Sequence, residues 1–229
     1  MIALINKKVA EIFEKATKIQ AIPLEEYKKL DYPVRCHADM LFCVIDNVIF
    51  CYEDYYEQNF KDFEAIKGYK IVKTKHLCSK EYPNDIGLNV LVVGKHIFCK
   101  REYTATEILE YAENNNYKIV NVNQGYASCS TLVIDENSAI TSDKGIYSAM
   151  VNEGFDALLI STVNIKLDGY NCGFIGGSGC FFDKTAYFFG EIERLPNFNE
   201  ISLWLKNKNY VYRAISTGDV FDFGGVKLI

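Results

Sequence analysis

Pairs of short apolar runs, each joined at a tight turn, recur along the whole chain at a nearly constant interval. The turns fall at Asp46-Asn47, Gly94-Lys95, Glu136-Asn137, Asp183-Lys184 and Gly224-Gly225, spaced by 48, 42, 47 and 41 residues. A period of that size marks a repeat architecture, in which each unit buries its apolar face against a neighbour. Each turn carries residues that tolerate the backbone of a hairpin.

Around these turns the units share one order: strand, strand, helix, strand. The first runs from the hairpin at residues 36–51 through a helix at Tyr55–Lys67 to a strand at Tyr69–Lys73. The second has strands Leu88–Val93 and His96–Lys100, a helix opening at Thr104 with Glu107 as its capping box, and a strand Tyr117–Asn121. The third places strands at Thr131–Ile134 and Ala139–Ser142, a helix through Ile146–Val151 and a strand Phe155–Ile160. In the fourth, Cys180–Phe182 and Thr185–Phe189 precede a helix near Asn197, with Glu200 at the capping position, and a strand Tyr210–Ile215.

The fifth unit is a hairpin, Asp219–Phe223 with Val226–Ile229, and lacks its helix and last strand. The N-terminal segment supplies both: a helix from Asn6 to Thr17, with apolar Val9, Ile12, Phe13 and Ala16 at helical spacing, and a strand Lys18–Ile22. Joining the two ends gives an interval of 51 residues, close to the others. The expected architecture is one α/β domain over 1–229, a closed propeller of five ββαβ modules with pseudo-fivefold symmetry. Its modules are approximately 36–75, 84–123, 127–162, 173–216, and 217–229 joined with 1–23. Closure through the termini leaves no open sheet edge.

Composition excludes several functions. The 229 residues carry a net charge of −5 with no basic run, which argues against a nucleic-acid partner. No apolar stretch is long enough to span a bilayer. Met1–Ile5 runs straight into Lys7-Lys8, the wrong order for a signal peptide, so a cytoplasmic protein is expected. Eight cysteines contain no Cys-x-x-Cys pair, and His37, His76 and His96 lack zinc-type spacing; neither a metal nor another cofactor is expected. Cys43, Cys51, Cys99 and Cys180 lie inside apolar runs and read as buried small hydrophobes in a reducing compartment.

The polar pair His37 and Asp39 opens the first unit. On a strand that spacing puts both side chains on one face, an imidazole beside a carboxylate. Cys129, ahead of the third unit's first strand, is a candidate nucleophile, since a nearby imidazole can take a thiol proton and return it to a leaving group. Each has a structural counterpart: Cys129 as a buried thiol, His37 with Asp39 as a pair capping a strand end. Cys180 lies deep in its strand and Cys36 points the other way, so both rank below Cys129.

Three stretches, His37-Ala38-Asp39-Met40, Asn123 to Thr131 and Gly173-Phe174-Ile175-Gly176-Gly177, carry a resemblance. The chain resembles the pentein fold of the guanidine-modifying enzymes, among them arginine deiminase, dimethylarginine dimethylaminohydrolase and the amidinotransferases. It looks still more like a clostridial family of unknown function grouped with that fold. The resemblance implies a His-x-Asp motif at His37-Ala38-Asp39, a nucleophile at Cys129 two modules further round, and a Glu-Gly-Gly-Asp-like motif at Ser216-Thr217-Gly218-Asp219. In that motif Ser216 stands where the glutamate would be. The guanidine-modifying enzymes hold another carboxylate one module earlier; residues 174–179 contain no acid, so the full grip on an arginine-type substrate is absent here.

The expected function is a cofactor-independent cysteine hydrolase or group-transfer enzyme for a small guanidino-like or other nitrogenous substrate in an axial cleft. Cys129, His37 and Asp39 would be catalytic. Asp219, Asp85, Ser216, Gly125, Gly176 and Gly177 would contact substrate, the glycines by close backbone approach. The alternative is a non-catalytic pentein that binds a small ligand or a protein, as the ribosomal anti-association factor of this fold does. Partners are a small molecule and, left open, a second copy of the chain; no nucleic acid and no membrane are expected.

Overall fold

A computed structural model describes residues 1–59, 63 and 66–229. It is a mixed α/β structure of small sheets. Among the described residues there are five three-stranded sheets and one two-stranded pairing. In each three-stranded sheet the middle strand is antiparallel to one neighbour and parallel to the other, and the parallel crossover carries a helix.

Four sheets follow the expected order. The first holds β3 (Phe42–Ile45), β4 (Val48–Tyr52) and β5 (Lys70–Thr74), with Asp46 at φ 51° in the turn. The second holds β6 (Leu91–Val93), β7 (His96–Cys99) and β8 (Lys118–Asn121). Next come β9 (Thr131–Asp135), β10 (Ser138–Thr141) and β11 (Asp156–Leu159), then β13 (Gly179–Phe182), β14 (Thr185–Phe188) and β15 (Val211–Ala214). The covering helices are α3 (Glu53–Gln58), α4 (Thr106–Asn114), α5 (Lys144–Asn152) and α6 (Phe198–Asn207). Of the helix expected at Tyr55–Lys67, residues 60–62, 64 and 65 lie outside the described residues.

The fifth sheet corrects the expected closure. Its strands are β17 (Val226–Leu228), β1 (Ile2–Asn6) and β2 (Gln20–Leu24), with α1 (Ala10–Thr17) on the crossover. The apolar opening Ile2–Ile5 is therefore a strand, and the helix starts at Ala10 rather than at Asn6, whose side chain instead accepts from the Lys8 N–H. β17 pairs antiparallel with β1, Ala3 opposite Leu228, and β1 runs parallel to β2. No hairpin joins 219–223 to 226–229. Instead β16 (Val220–Phe221) pairs in parallel with β12 (Ile165–Lys166), so residues 222–225 link two different sheets. Nor does 18–22 share a sheet with 219–223.

Two local readings also change. Thr104 and Glu107 form no capping box: Thr104 donates to the Lys100 carbonyl, and Glu107 accepts from the Lys75 N–H. The stretch before β3 is not strand but a one-turn helix, α2 (Ala38–Leu41), closed by the N–H groups of Met40 and Leu41 on the His37 carbonyl. The alternation argument for His37 and Asp39 therefore fails.

The core lies under and between the sheets. One cluster joins Phe42, Phe50, Tyr52 and Tyr55 to Tyr27 and Leu30, and a second packs Phe188 on Ile201 and Leu205 of α6. Phe13 of α1 is fully buried beside Phe189, a burial worth about 1.5–3 kcal/mol. Cys43, Cys51, Cys99 and Cys180 are buried, in line with their apolar runs. No described helix is long and apolar enough to cross a membrane.

Candidate active site

Four chain segments meet beside α2. His37 precedes its first turn and Asp39 sits within it; both side chains are buried. Asp222 enters from the 222–225 link, and Cys129 from the loop ahead of β9. His37 Nδ1 lies 3.9 Å from Asp39 Oδ1 and 3.8 Å from Asp222 Oδ1, charge-pair distances longer than hydrogen bonds. One ligand atom of each of these three residues lies within 4.8 Å of the other two, a donor set that could hold a divalent cation.

The 222–225 link is fixed by close backbone approach. Asp222 accepts the N–H groups of Phe174 and Gly224 at 2.9 Å each, and the Asp39 N–H donates to the Gly224 carbonyl. Gly224 takes φ 83°, and a Cβ there would stand 2.3 Å from His37 Cβ. At Gly177 a Cβ would overlap the Asp222 carboxylate. Both positions therefore require glycine.

Asn89 holds Cys129 from below. Its Oδ1 accepts from the N–H groups of Ser128 (2.8 Å) and Cys129 (3.3 Å). Its Nδ2 donates to Cys129 Sγ (2.9 Å) and to the Asp39 carbonyl (3.1 Å). One carboxamide thus ties the thiol to the His37–Asp39 turn.

Burial governs the charges. It pushes the Cys129 thiol well up, and the negative charges of Asp39 and Asp222 push it further. Burial pulls His37 down to about 4, although the Asp39 charge opposes this, so the imidazole is neutral at neutral pH. Burial, then the Asp39 charge, raises Asp222 to about 8 against its two backbone hydrogen bonds. Neither carboxylate oxygen of Asp39 has a hydrogen-bond partner among the described residues.

A cavity of about 290 Å³ opens on this cluster. His37, Cys129 and Asp222 line it, with Asp85 and the aromatic walls Tyr126, Tyr170 and Phe174. Of the residues expected in the site, His37, Cys129 and Asp85 therefore share one cavity, and Asp39 adjoins it through His37. Asp219 does not belong: its half-exposed carboxylate pairs with Arg194 at 3.3 Å. Ser216 is half-buried and outside the cavity lining. The glycines act on other residues instead of lining the cavity: Gly176 packs on the carbonyls of Ser128 and Cys129, Gly177 on Asp222, and Gly125 on Tyr82 and Ile86.

Asp222 and Asn89 were missed from sequence. Asp222-Phe223-Gly224 has the form of an Asx turn, a carboxylate two residues before a glycine, and that signal was legible. Asn89 is a lone amide in an otherwise apolar run, Leu88 to Val93.

Solved structures share this architecture at low sequence identity. Agmatine deiminase from C. jejuni superposes with a TM-score of 0.52 at 10% identity, covering 89% of this chain and 72% of that one. An amidinotransferase of the saxitoxin biosynthetic pathway from Microseira wollei gives 0.54 at 11%, covering 88% and 71%. Dimethylarginine dimethylaminohydrolase from Pseudomonas aeruginosa, solved with citrulline, gives 0.52 at 10%, covering 96% and 84%. The chain thus shares its fold with these guanidino-modifying hydrolases and amidinotransferases. The chain belongs to a family of unknown function, DUF6873, whose model matches residues 3–227. No curated protein matches the sequence.

Proposed function

We propose that this protein is a cysteine-dependent hydrolase or group-transfer enzyme acting on a small amidine or guanidine. In this reading residues 1–229 form one domain of five ββαβ modules round an axis, closed by β17 on β1, and the cavity is the mouth of that axis. The observation that carries the proposal is the shared cavity: a thiol, a neutral imidazole and buried carboxylates line it, with no lysine or arginine among the lining residues.

An amidinium supplies what this cluster lacks. Its N–H groups would reach the Asp222 carboxylate in the cavity wall, and its positive charge would offset the burial and the Asp39 and Asp222 charges that raise the Cys129 thiol. Cys129 Sγ then bonds to the amidine carbon while its proton passes to His37. His37 gives that proton to the departing amine as the C–N bond breaks. In the hydrolytic half, His37 takes a proton from water, the oxygen adds to the same carbon, and the C–S bond breaks to return the thiol. A transferase would use an acceptor amine in place of that water. Asp39 and Asp222 flank the imidazole and stabilise it while it carries the proton.

The test is alkylation by a matched pair, cationic 2-chloroacetamidine and neutral 2-chloroacetamide, read by mass spectrometry of the Cys129 peptide. An opposite charge at the thiol is worth one pKa unit or more, so the cationic reagent should label Cys129 at least about tenfold faster. His37→Ala should slow it. Equal rates for the two reagents, or a different cysteine labelled first, would exclude the mechanism. The competing reading is a binding module that keeps the cavity without the chemistry; the raised, buried Cys129 thiol favours it, and the same experiment decides.

A further inference from the structure

A second cavity, of about 250 Å³, shares no lining residue with the one at Cys129. The same three segments nevertheless wall both. His37 lines the first and Asp39 the second, Cys129 the first and Ser128 the second, Asp222 the first and Gly225 the second. These segments form a partition, and the chemistry proposed at Cys129 leaves the space behind it unused.

The wall of that space carries two charges that the protein leaves apart. Asp39 is 2% exposed, and neither of its carboxylate oxygens has a hydrogen-bond partner among the described residues. A buried carboxylate without a donor is costly, and in a cavity wall it points to a donor carried by a ligand. Lys227, half-buried in β17, donates from its ammonium to the Ser128 hydroxyl oxygen at 2.9 Å. Among the described residues it forms no ion pair, with Asp39 or any other acid. Its bond to the Ser128 oxygen leaves the Ser128 proton for an acceptor. Leu132 and Ile134 of β9 and Leu228 of β17 supply apolar wall between these groups.

Charge and size together define the ligand. An anion alone would pair with Lys227 and be repelled by Asp39; a cation alone would meet the reverse. A molecule with both ends satisfies both, its ammonium at Asp39 and its carboxylate on the Lys227 ammonium and the Ser128 proton. The volume lies below the roughly 300–1,000 Å³ of pockets for drug-sized ligands, which limits the occupant to a few heavy atoms.

We infer that this second cavity is an effector site for a small zwitterionic amino acid, which acts on the thiol cavity through Asp39. Binding here does not depend on the reading of Cys129 as a nucleophile; the thiol serves as a reporter. Burial, then the charges of Asp39 and Asp222, hold the Cys129 thiol up. An ammonium on Asp39 offsets one of those charges from behind the partition, so occupancy favours the thiolate.

Three probes test the site by calorimetry on the full chain: L-alanine, L-alaninamide, which lacks the carboxylate, and N-acetyl-L-alanine, which lacks the ammonium. Alanine should bind about tenfold or more tightly than either, since each analogue leaves one buried charge unpaired. Lys227→Met should weaken alanine to the level of alaninamide and leave alaninamide unchanged. The wild-type comparison stands even if that variant does not fold. Failure of alanine to bind, equal binding of the three, or unchanged alanine affinity in Lys227→Met overturns the site. The coupling is read with neutral 2-chloroacetamide, which should label Cys129 at least about twofold faster under saturating alanine. Unchanged or slower labelling with alanine bound overturns the effector role. A Cys129 that never reacts while alanine binds as expected refutes the nucleophile and leaves the second site standing.

Discussion

Replacing Asn89 by alanine tests how the thiol is held, and the structure sets the size of the effect. The carboxamide makes two hydrogen bonds from backbone N–H groups, of Ser128 and Cys129, and one to the Asp39 carbonyl, besides its contact with Cys129 Sγ. Asn89 is 1% exposed, so water does not replace those partners without opening the loop. Each such bond contributes about 1 kcal/mol net, and a buried group left unpaired adds to the loss, giving about 3 kcal/mol in all. In a chain of this size that is about 6–12 °C in melting temperature. Asn89→Ala should show this loss in calorimetry and urea unfolding, and Cys129 should react more slowly with 2-chloroacetamidine. A loss under about 1 kcal/mol with unchanged labelling would refute the clamp.

Asp222 predicts a pH dependence. Its folded pKa of about 8 lies above the unfolded carboxylate value, so the folded state binds the extra proton and stability falls as pH rises towards 8. His37, lowered to about 4, works in the opposite sense between about 4 and 6.5, so the fall should be clearest from pH 6.5 to 8; Asp222→Asn should flatten it, and an unchanged slope in that variant would count against the assignment. Deleting residues 226–229 removes β17, exposes the edge of β1 and frees one end of the Asp222 link. The truncated protein should lose its cooperative melt; an unchanged melting temperature would contradict the role of this strand.

Much of the fold was legible because hairpin turns are local. Asp46, Gly94 and Asp183 sit at positive φ, and residue type announces that conformation without any tertiary information. Helix α6 likewise begins directly after Asn197, where the sequence places it, and α5 spans the expected Ile146–Val151. The terminal sheet was not legible in the same way. Ile2–Ile5 has no period of its own, and only its pairing with Val226–Leu228, across the length of the chain, makes it a strand. The site divides similarly. His37, Cys129 and Asp85 stand out by residue type and place in the repeat. Asp222 was displaced by Asp219, which fits a motif in sequence but is carried to the surface by the β16 pairing. Asn89 acts through the Ser128 and Cys129 N–H groups, the Cys129 sulfur and the Asp39 carbonyl, and contacts of that kind leave no trace in spacing.

The four residues 222–225 hang between anchors. Behind them β16 is fastened to β12; ahead, β17 is fastened to β1. Between those moorings the Asp222 N–H grips the Lys166 carbonyl, those of Phe223 and Gly225 grip Gly177, and the Gly224 carbonyl takes the N–H of Asp39. Both pairings therefore fix the place of one carboxylate, 3.8 Å from the imidazole. Asp222 is thus held by two strand pairings that begin and end at opposite parts of the chain: the carboxylate beside His37 depends on residues 2–6 as much as on its own segment.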